Sequence, residues 1–151
     1  MVNEIIYLYI FISLIIAILS QQNKIKIKLK VNENQNTYNI LGQQFGPIPQ
    51  EVTNKKNGQI ITPSQNQISL TGNNGDIIDI EMIFDQPIID CSFMFNSCYY
   101  IESIDLSDID LSSVNNFTNM FSGCGSLNSI DLSFLQNLEI RNISYMFRGC
   151  S

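Results

Sequence analysis

Histidine and tryptophan are both missing from the chain. Without histidine, the protein lacks the commonest general base and the commonest metal-binding side chain. The sequence also has no G-x-S-x-G motif, no phosphate-binding P-loop and no C-x-x-C pair. These absences predict that the protein is not an enzyme, binds no metal and uses no cofactor. An enzyme with an unrecognised carboxylate site is the weaker alternative.

Basic residues are scarce in the second half of the chain. Residues 76–151 carry two arginines and no lysine against eleven acidic residues, a net charge of −9. Residues 21–75 carry six lysines and two glutamates, a net charge of +4. Because phosphate binding needs clustered Lys and Arg, the acidic region argues against nucleic acid as a partner.

The N-terminal segment is strongly apolar. Between Ile5 and Leu19 its only polar residues are two tyrosines and Ser13. A run of about 15 apolar residues suits a signal peptide and is short for a membrane span, which needs about 20. We therefore predict a signal peptide at 1–20 and a secreted or cell-surface protein. An uncleaved signal-anchor is the alternative, and it would hold the chain at a membrane.

Residues 21–76 are predicted to form a β-rich N-terminal cap region. The stretch Lys24–Val31 alternates lysine with aliphatic residues, the pattern of a strand with one buried and one wet face. Asn57-Gly58 predicts a hairpin with a type I′ turn. Further strands are predicted at 51–54, 59–62, 67–70 and 76–84.

One dipeptide, Met-Phe, occurs three times at a spacing of 26 residues, and a cysteine follows each copy at the same offset. Such a fixed period indicates stacked structural units, each of which buries its apolar side chains against the next. We expect the recurring residues to form a core ladder. They are Met94, Phe95, Cys98, Met120, Phe121, Cys124, Met146, Phe147 and Cys150.

The period predicts a fold that is mainly β with short helical turns, namely a leucine-rich-repeat-like parallel solenoid of 26-residue coils. Each I-D-L is expected to be a short strand, and a helical turn is expected at 116–121. Residues 77–93 are interpreted as a degenerate first coil, since Ile78-Asp79-Ile80 falls one period before Ile104-Asp105-Leu106. Residues 94–151 are expected to form the later coils, truncated at the C-terminus.

The stretch from Met120 to Ser133, M-F-S-G-C-G-S-L-N-S-I-D-L-S, resembles the BspA-like leucine-rich-repeat surface proteins of bacteria and protists, including the Mycoplasma-type lipoprotein repeat. The pattern shared is M-F-x-x-C-x-x-L-x-x-I-D-L-S. The likeness covers 94–151 well and 77–93 weakly. It implies a surface-exposed protein used in adhesion or protein binding, and it implies no catalytic residues.

Four cysteines in a secreted chain raise the alternative of disulfides. Cys98, Cys124 and Cys150 share one repeat position, however, so their side chains should point the same way rather than at one another. Cys91 falls where other units have Phe or Ile. We expect all four to be small buried core residues.

The I-D-L strands place one aspartate per unit on their outer face, flanked by serines. Like charges on neighbouring strands repel, so hydroxyl or backbone donors, a bound cation or a basic partner should offset them. We expect this strip to be the binding face. Its candidate residues are Asp79, Ser103, Asp105, Ser107, Ser129, Asp131 and Ser133.

Two N-x-S/T sequons begin at Asn116 and Asn142, again 26 residues apart. In a secreted chain they are possible N-glycosylation sites. A capping role for each asparagine is the favoured alternative, since Phe117 and Ile143 between them are expected to be buried.

These observations together predict a secreted or surface binding or adhesion module whose strand face meets an unidentified protein or surface glycan. A membrane would be involved only through an uncleaved N-terminal segment or a missing C-terminal anchor. The alternative is a truncated structural fragment that assembles through its uncapped C-terminal coil.

Overall fold

The computed structural model describes residues 2–20 and 23–150. It begins with one α-helix, α1 (Val2–Ser20), whose side chains from residue 5 to 14 are exposed. This helix occupies the segment for which a signal peptide is predicted, except Met1, which lies outside the described residues. Within the described residues, no helix has both the length and the apolar character needed to cross a membrane.

The rest of the described chain consists of short strands joined by turns, with one turn of 3-10 helix at Ser133–Leu135. The strands are β1 (Asn23–Lys30), β2 (Thr37–Asn39), β3 (Glu51–Asn54), β4 (Gln59–Ile61), β5 (Gln67–Ser69), β6 (Ile77–Phe84), β7 (Ile101–Asp105) and β8 (Ser129–Ile130).

The predicted strands of the N-terminal region are confirmed to within one residue at each end, because alternation and turn residues are local signals. The hairpin between β3 and β4 is confirmed as well. Its type I′ turn is wrong. Gly58 has a φ of +71° and Asn57 does not have a positive φ, and the Gly58 N–H donates to the Asn54 carbonyl over 2.8 Å, which closes a four-residue loop.

Six strands form one open mixed sheet in the order β4-β3-β6-β1-β7-β8. All neighbours are antiparallel except β7 and β8, which are parallel. β2 and β5 form a separate antiparallel pair. The predicted leucine-rich-repeat-like parallel solenoid of 26-residue coils is therefore wrong.

β1 explains this correction, because it lies between β6 and β7 and is antiparallel to both. Ile78-Asp79-Ile80 consequently does not stack directly on Ile104-Asp105-Leu106 as expected. Instead, Ile27 of β1 lies opposite both Ile80 and Ile104, and all three are buried. The antiparallel ladder between β1 and β6 runs along the whole of β6, whereas the parallel pairing of β7 with β8 covers two residues. Antiparallel pairing is also slightly more stable per residue. For both reasons the β1–β6 pairing contributes more to the stability of the sheet.

Three Met-Phe segments, residues 91–97, 117–123 and 143–149, lie side by side. Every second N–H of one segment donates to a carbonyl of the next unit, as Phe95 N does to Met120 O over 2.8 Å and Phe121 N to Met146 O over 2.9 Å. The helical turn expected at 116–121 is wrong, since this stretch contains turns and a bridge between Asn116 and Asn142 but no helix.

The buried side chains form one core that runs from the N-terminal region into the Met-Phe segments. The rings of Phe95 and Phe121 are stacked at 5.8 Å, and those of Phe121 and Phe147 at 5.3 Å. Met94, Phe95, Met120 and Phe121 are fully buried. Met146 is nearly so, whereas Phe147 is 40% exposed because no segment covers its outer side among the described residues.

Candidate functional site

The outer face of the six-stranded sheet carries both signs of charge. Alternation in β1 turns its isoleucines and Leu29 into the core and its lysines outward. Lys26 lies opposite Glu81 on β6 and opposite Asp105 on β7. Two residues further along β1, Lys28 lies opposite Asp79 on β6 and opposite Ser103 on β7. We call these outward side chains the polar face: Lys26, Lys28, Asp79, Glu81, Ser103 and Asp105.

Lys26 is the centre of the charge network on the polar face. Its ammonium donates a hydrogen bond to Asp108 and lies 3.7 Å from an Asp105 carboxylate oxygen. The hydrogen bond to Asp108, reinforced by the charges of Asp108, Asp105 and Glu81, raises the pKa of Lys26 although partial desolvation lowers it. Because the side chains are about half exposed, each pair stabilises the fold by about 1 kcal/mol at most.

Two further ion pairs extend the network along the sheet. Lys55 Nζ lies 3.2 Å from Glu81 Oε1, and Lys30 Nζ lies 3.7 Å from Glu102 Oε1. Both lysines are about half exposed, whereas the glutamates are more covered. The charges of the polar face are thus held in an alternating pattern rather than segregated by sign.

Asp105 is anchored by its own backbone as well as by Lys26. Its Oδ1 accepts the Ser107 N–H over 2.9 Å, and hydrogen bonds from Ser107 are the main reason that the pKa of Asp105 is lowered, with the charge of Lys26 contributing further. The same turn recurs at Asp131, whose Oδ1 accepts the Ser133 N–H over 2.8 Å. Each aspartate is therefore held in one orientation by a donor two residues later.

A pocket of about 560 Å³ opens beside the polar face, between the turns that follow β7 and β8. Its lining combines carboxylates and serines with aliphatic and phenyl groups. The polar set comprises Asp105, Ser107, Asp131 and Ser133, and the apolar set includes Ile109, Leu111, Phe134 and Leu138. A pocket lined by both polar and apolar groups can hold an amphipathic ligand.

The structure divides the seven predicted binding-face residues into two groups. Asp79 and Ser103 lie on the polar face beside Lys28, and Ser129 pairs with Ser103 across β7 and β8. Asp105, Ser107, Asp131 and Ser133 line the pocket. Asp79 and Asp105 are not neighbours, since β1 separates their strands.

Lys26, Lys28, Glu81 and Asp108 were missed as members of this site. The lysine alternation in 24–31 predicts a solvated strand face and, by itself, no binding site. The signal that could have found the site is the match of that alternation with the acidic outward positions of β6 and β7. The aspartates were expected to need groups that offset their mutual repulsion. In the structure, backbone N–H donors and the chain's own lysines do so.

The two sequon asparagines hold turns. Asn116 is half-buried, its Oδ1 accepts from the N–H and hydroxyl of Thr118, and its Nδ2 lies 3.3 Å from Asp90 Oδ2. Asn142 is exposed, and its Oδ1 accepts the Ser144 N–H over 2.9 Å. Phe117 is buried as expected, whereas Ile143 is 55% exposed, which corrects that expectation.

All four cysteines are free thiols. Cys91, Cys98 and Cys124 are buried and Cys150 is half-buried. Burial raises the pKa of Cys91 and Cys124 to about 12 and also raises that of Cys98. Among the described residues, no cluster of His, Cys, Asp and Glu could hold a metal ion.

A family model described as "Mycoplasma protein of unknown function, DUF285" matches residues 71–151, more than half of the chain. The chain belongs to this family. No curated protein and no solved structure matches the sequence. The DUF285 match includes β6, β7, β8 and the Met-Phe segments but not β1. The lysines of the polar face therefore come from outside the family region, and its carboxylates come from inside.

Proposed function

We propose that the protein is a non-catalytic binding or adhesion module, secreted or displayed at the cell surface. In this proposal the polar face and the adjoining pocket bind a protein or a surface glycan. The observation that carries the proposal is the presence of Asp105 and Asp131, each held by a turn, in the lining of a pocket that also has apolar side chains.

The chemistry of the pocket favours binding over catalysis. Because its pKa is lowered, Asp105 is ionised at neutral pH and accepts hydrogen bonds from hydroxyl, amide or ammonium groups rather than donating a proton. Phe134 and Leu138 offer an apolar surface to the less polar side of a sugar ring or of a protein side chain. The alternating charges beside the pocket would select a partner whose own charges alternate.

Two observations support a location at the cell surface. The apolar segment at 5–14 is exposed along α1, in keeping with a role in export or anchoring rather than in the folded core. The M-F-x-x-C pattern of the family region also resembles BspA-like surface proteins, whose adhesive role would place this chain outside the cell.

Charge reversal in the pocket tests the proposed binding site. The native protein and the Asp105→Lys/Asp131→Lys variant would be applied to panels of immobilised glycans and extracellular-matrix proteins. We expect the native protein to bind at least one panel member, and the double variant to bind it at least tenfold more weakly, because cations replace both acceptors in the pocket.

The matched control is Asp85→Lys/Glu139→Lys, which changes the net charge equally at two exposed acids outside the pocket. This control should bind like the native protein. Native protein that binds neither panel, or equal loss in both double variants, would contradict the proposal.

A further inference from the structure

A pocket of about 360 Å³ lies in the N-terminal region and shares no residue with the polar face or with the pocket beside it. Its lining is uncharged and consists mainly of side-chain amides, so we call it the amide pocket. The lining residues are Gln43, Gln44, Phe45, Gly46, Ile48, Gln65, Asn66 and Gln67. Because the family match begins at residue 71, the amide pocket belongs to the part of the chain outside the family region.

Asn66 holds the loop that forms one part of the amide pocket. The residue is 5% exposed, and its Nδ2 donates to the Gly42 carbonyl over 2.7 Å and to the Phe45 carbonyl over 3.1 Å. Its own backbone carbonyl accepts the N–H groups of Ile40 and Leu41, which precede this loop. The same buried side chain therefore lines the pocket and fixes its shape.

The remaining polar atom of this side chain, Asn66 Oδ1, lacks a hydrogen-bond donor. Within the described residues it is the only buried side-chain oxygen or nitrogen without a hydrogen-bond partner. Buried acceptors are nearly always paired, because an unpaired one costs the free energy of removing it from water. We therefore expect a bound molecule to supply the donor, and the pocket that Asn66 lines is where such a molecule fits.

Glutamine side chains provide further hydrogen-bonding groups in the amide pocket. Gln43, Gln44 and Gln65 are exposed, and their side-chain amides make no hydrogen bonds within the described residues. The Gln67 amide is already oriented, since its Nε2 donates to Asn39 Oδ1 over 2.7 Å. Because each amide carries both donors and an acceptor, the pocket matches an uncharged ligand whose neighbouring groups also donate and accept.

We propose that the amide pocket binds a neutral sugar. The adjacent hydroxyls of a sugar ring both donate and accept, as the amides do, and one hydroxyl supplies the donor that Asn66 Oδ1 lacks. Phe45 and Ile48 add apolar contacts for the C–H groups of the ring. The volume is at the small end for ligand pockets, which suits a single ring, and the uncharged lining disfavours acidic or phosphorylated ligands.

A peptide fits the amide pocket less well than a sugar. Extended peptides often bind by pairing with a free strand edge. The backbone of Gln67, the strand residue at the pocket, is already paired: its N–H donates to the Ser64 carbonyl over 3.1 Å, and the Ser64 N–H donates to its carbonyl over 2.8 Å. Since this pocket and the pocket beside the polar face share no residue, either proposal can fail without the other.

Saturation-transfer-difference NMR on the full chain tests the proposal, with glucose, galactose, mannose and N-acetylglucosamine as probes. We expect at least one of these neutral sugars to bind saturably. Gln43→Ala/Gln44→Ala should weaken that binding at least tenfold, because two exposed amides are removed and no hydrogen bond of theirs within the described fold is lost. In the isotope-labelled native chain, the signals of the Asn66 side-chain amide should shift along the same saturation curve, since a hydrogen bond to Oδ1 polarises the amide.

Gln59→Ala/Gln136→Ala is the matched control, since both glutamines are exposed and lie outside the amide pocket. This control and Asp105→Lys/Asp131→Lys should bind the sugar as the native chain does. If no probe binds saturably, or if the Asn66 amide signals stay unchanged at saturation, water is the partner of Oδ1 and the proposal is overturned. Equal loss in the two glutamine double variants would also overturn it, and loss in the aspartate variant alone would assign the sugar to the pocket beside the polar face.

Discussion

At the scale of single residues, the cysteines do more than occupy space in the core. Cys124 and Cys150 each donate to a phenylalanine carbonyl in the preceding segment, 29 residues earlier. The burial of Cys124 could be anticipated from its repeat position, since small apolar residues suit a stacked core, whereas Cys150 is only half-buried. The carbonyl partner could not be anticipated, because it depends on how two distant segments are aligned.

Buried thiols predict a pH dependence of stability. The pKa of Cys124 is about 12 in the folded protein and about 8.5 in an unfolded chain. Its stabilisation is therefore fully present below about pH 8.5 and is lost as the pH rises towards 12, because the unfolded thiol ionises first. Cys124→Ala should lower the free energy of unfolding by about 1–2 kcal/mol at pH 7, through a lost hydrogen bond and a small cavity.

The measurement is urea unfolding of native protein and Cys124→Ala from pH 7 to 10.5. The gap between the two free energies of unfolding should narrow above pH 8.5, since only the native chain loses this contribution. Comparing the two proteins cancels the titration of tyrosines and lysines. A gap that stays constant across the range would mean that the thiol of Cys124 ionises as easily when folded.

At the scale of secondary-structure elements, the position of β1 determines the strand order of the sheet. Its existence and its buried face follow from strict alternation between Lys24 and Val31. Its position between β6 and β7 does not, because alternation specifies which side chains point inward and says nothing about which strands lie alongside. The lysines at the candidate site were missed for the same reason, although Asp105 and Asp131 could be selected from the I-D-L pattern.

Charge reversal in β1 tests its role between two acidic strands. Lys26→Glu places a third carboxylate between Glu81 and Asp105. Like charges on directly opposite strand positions are destabilising, so we expect the free energy of unfolding to fall by about 1–2 kcal/mol at low salt. The loss should shrink in 1 M NaCl, where the Debye length is about 3 Å.

Lys56→Glu provides the comparison, because it changes the net charge equally at an exposed turn residue. Urea unfolding at both salt concentrations should show little effect of this variant. Equal destabilisation by the two substitutions would indicate that net charge, rather than the position of Lys26, is responsible.

At the scale of the whole molecule, the N-terminal region and the family region share one core. Gly42 shows how closely they meet: a Cβ added there would lie 2.0 Å from the Phe93 carbonyl oxygen. The sequence suggested a cap from composition and position. It could not show this contact, since the need for glycine arises from a backbone more than 50 residues away.

Gly42→Ala should therefore weaken the packing of the N-terminal region against the family region. Because the backbone must shift to admit a methyl group, we expect the free energy of unfolding to fall by about 1–3 kcal/mol in urea titrations. Gly46→Ala is the control, since nothing lies within 4 Å of a Cβ placed there. Similar losses in both variants would show that chain flexibility, not the space at Gly42, governs the effect.

The central position of β1 has a consequence for the order of events during synthesis. β1 is made before every other strand, yet both strands that flank it are the late ones β6 and β7. Both of its edges therefore stay unpaired until residues 77–105 have emerged. Long-range strand pairing of this kind slows folding, so we expect the rate at which the newborn chain folds to be limited by the arrival of β6 and β7, the two neighbours of β1.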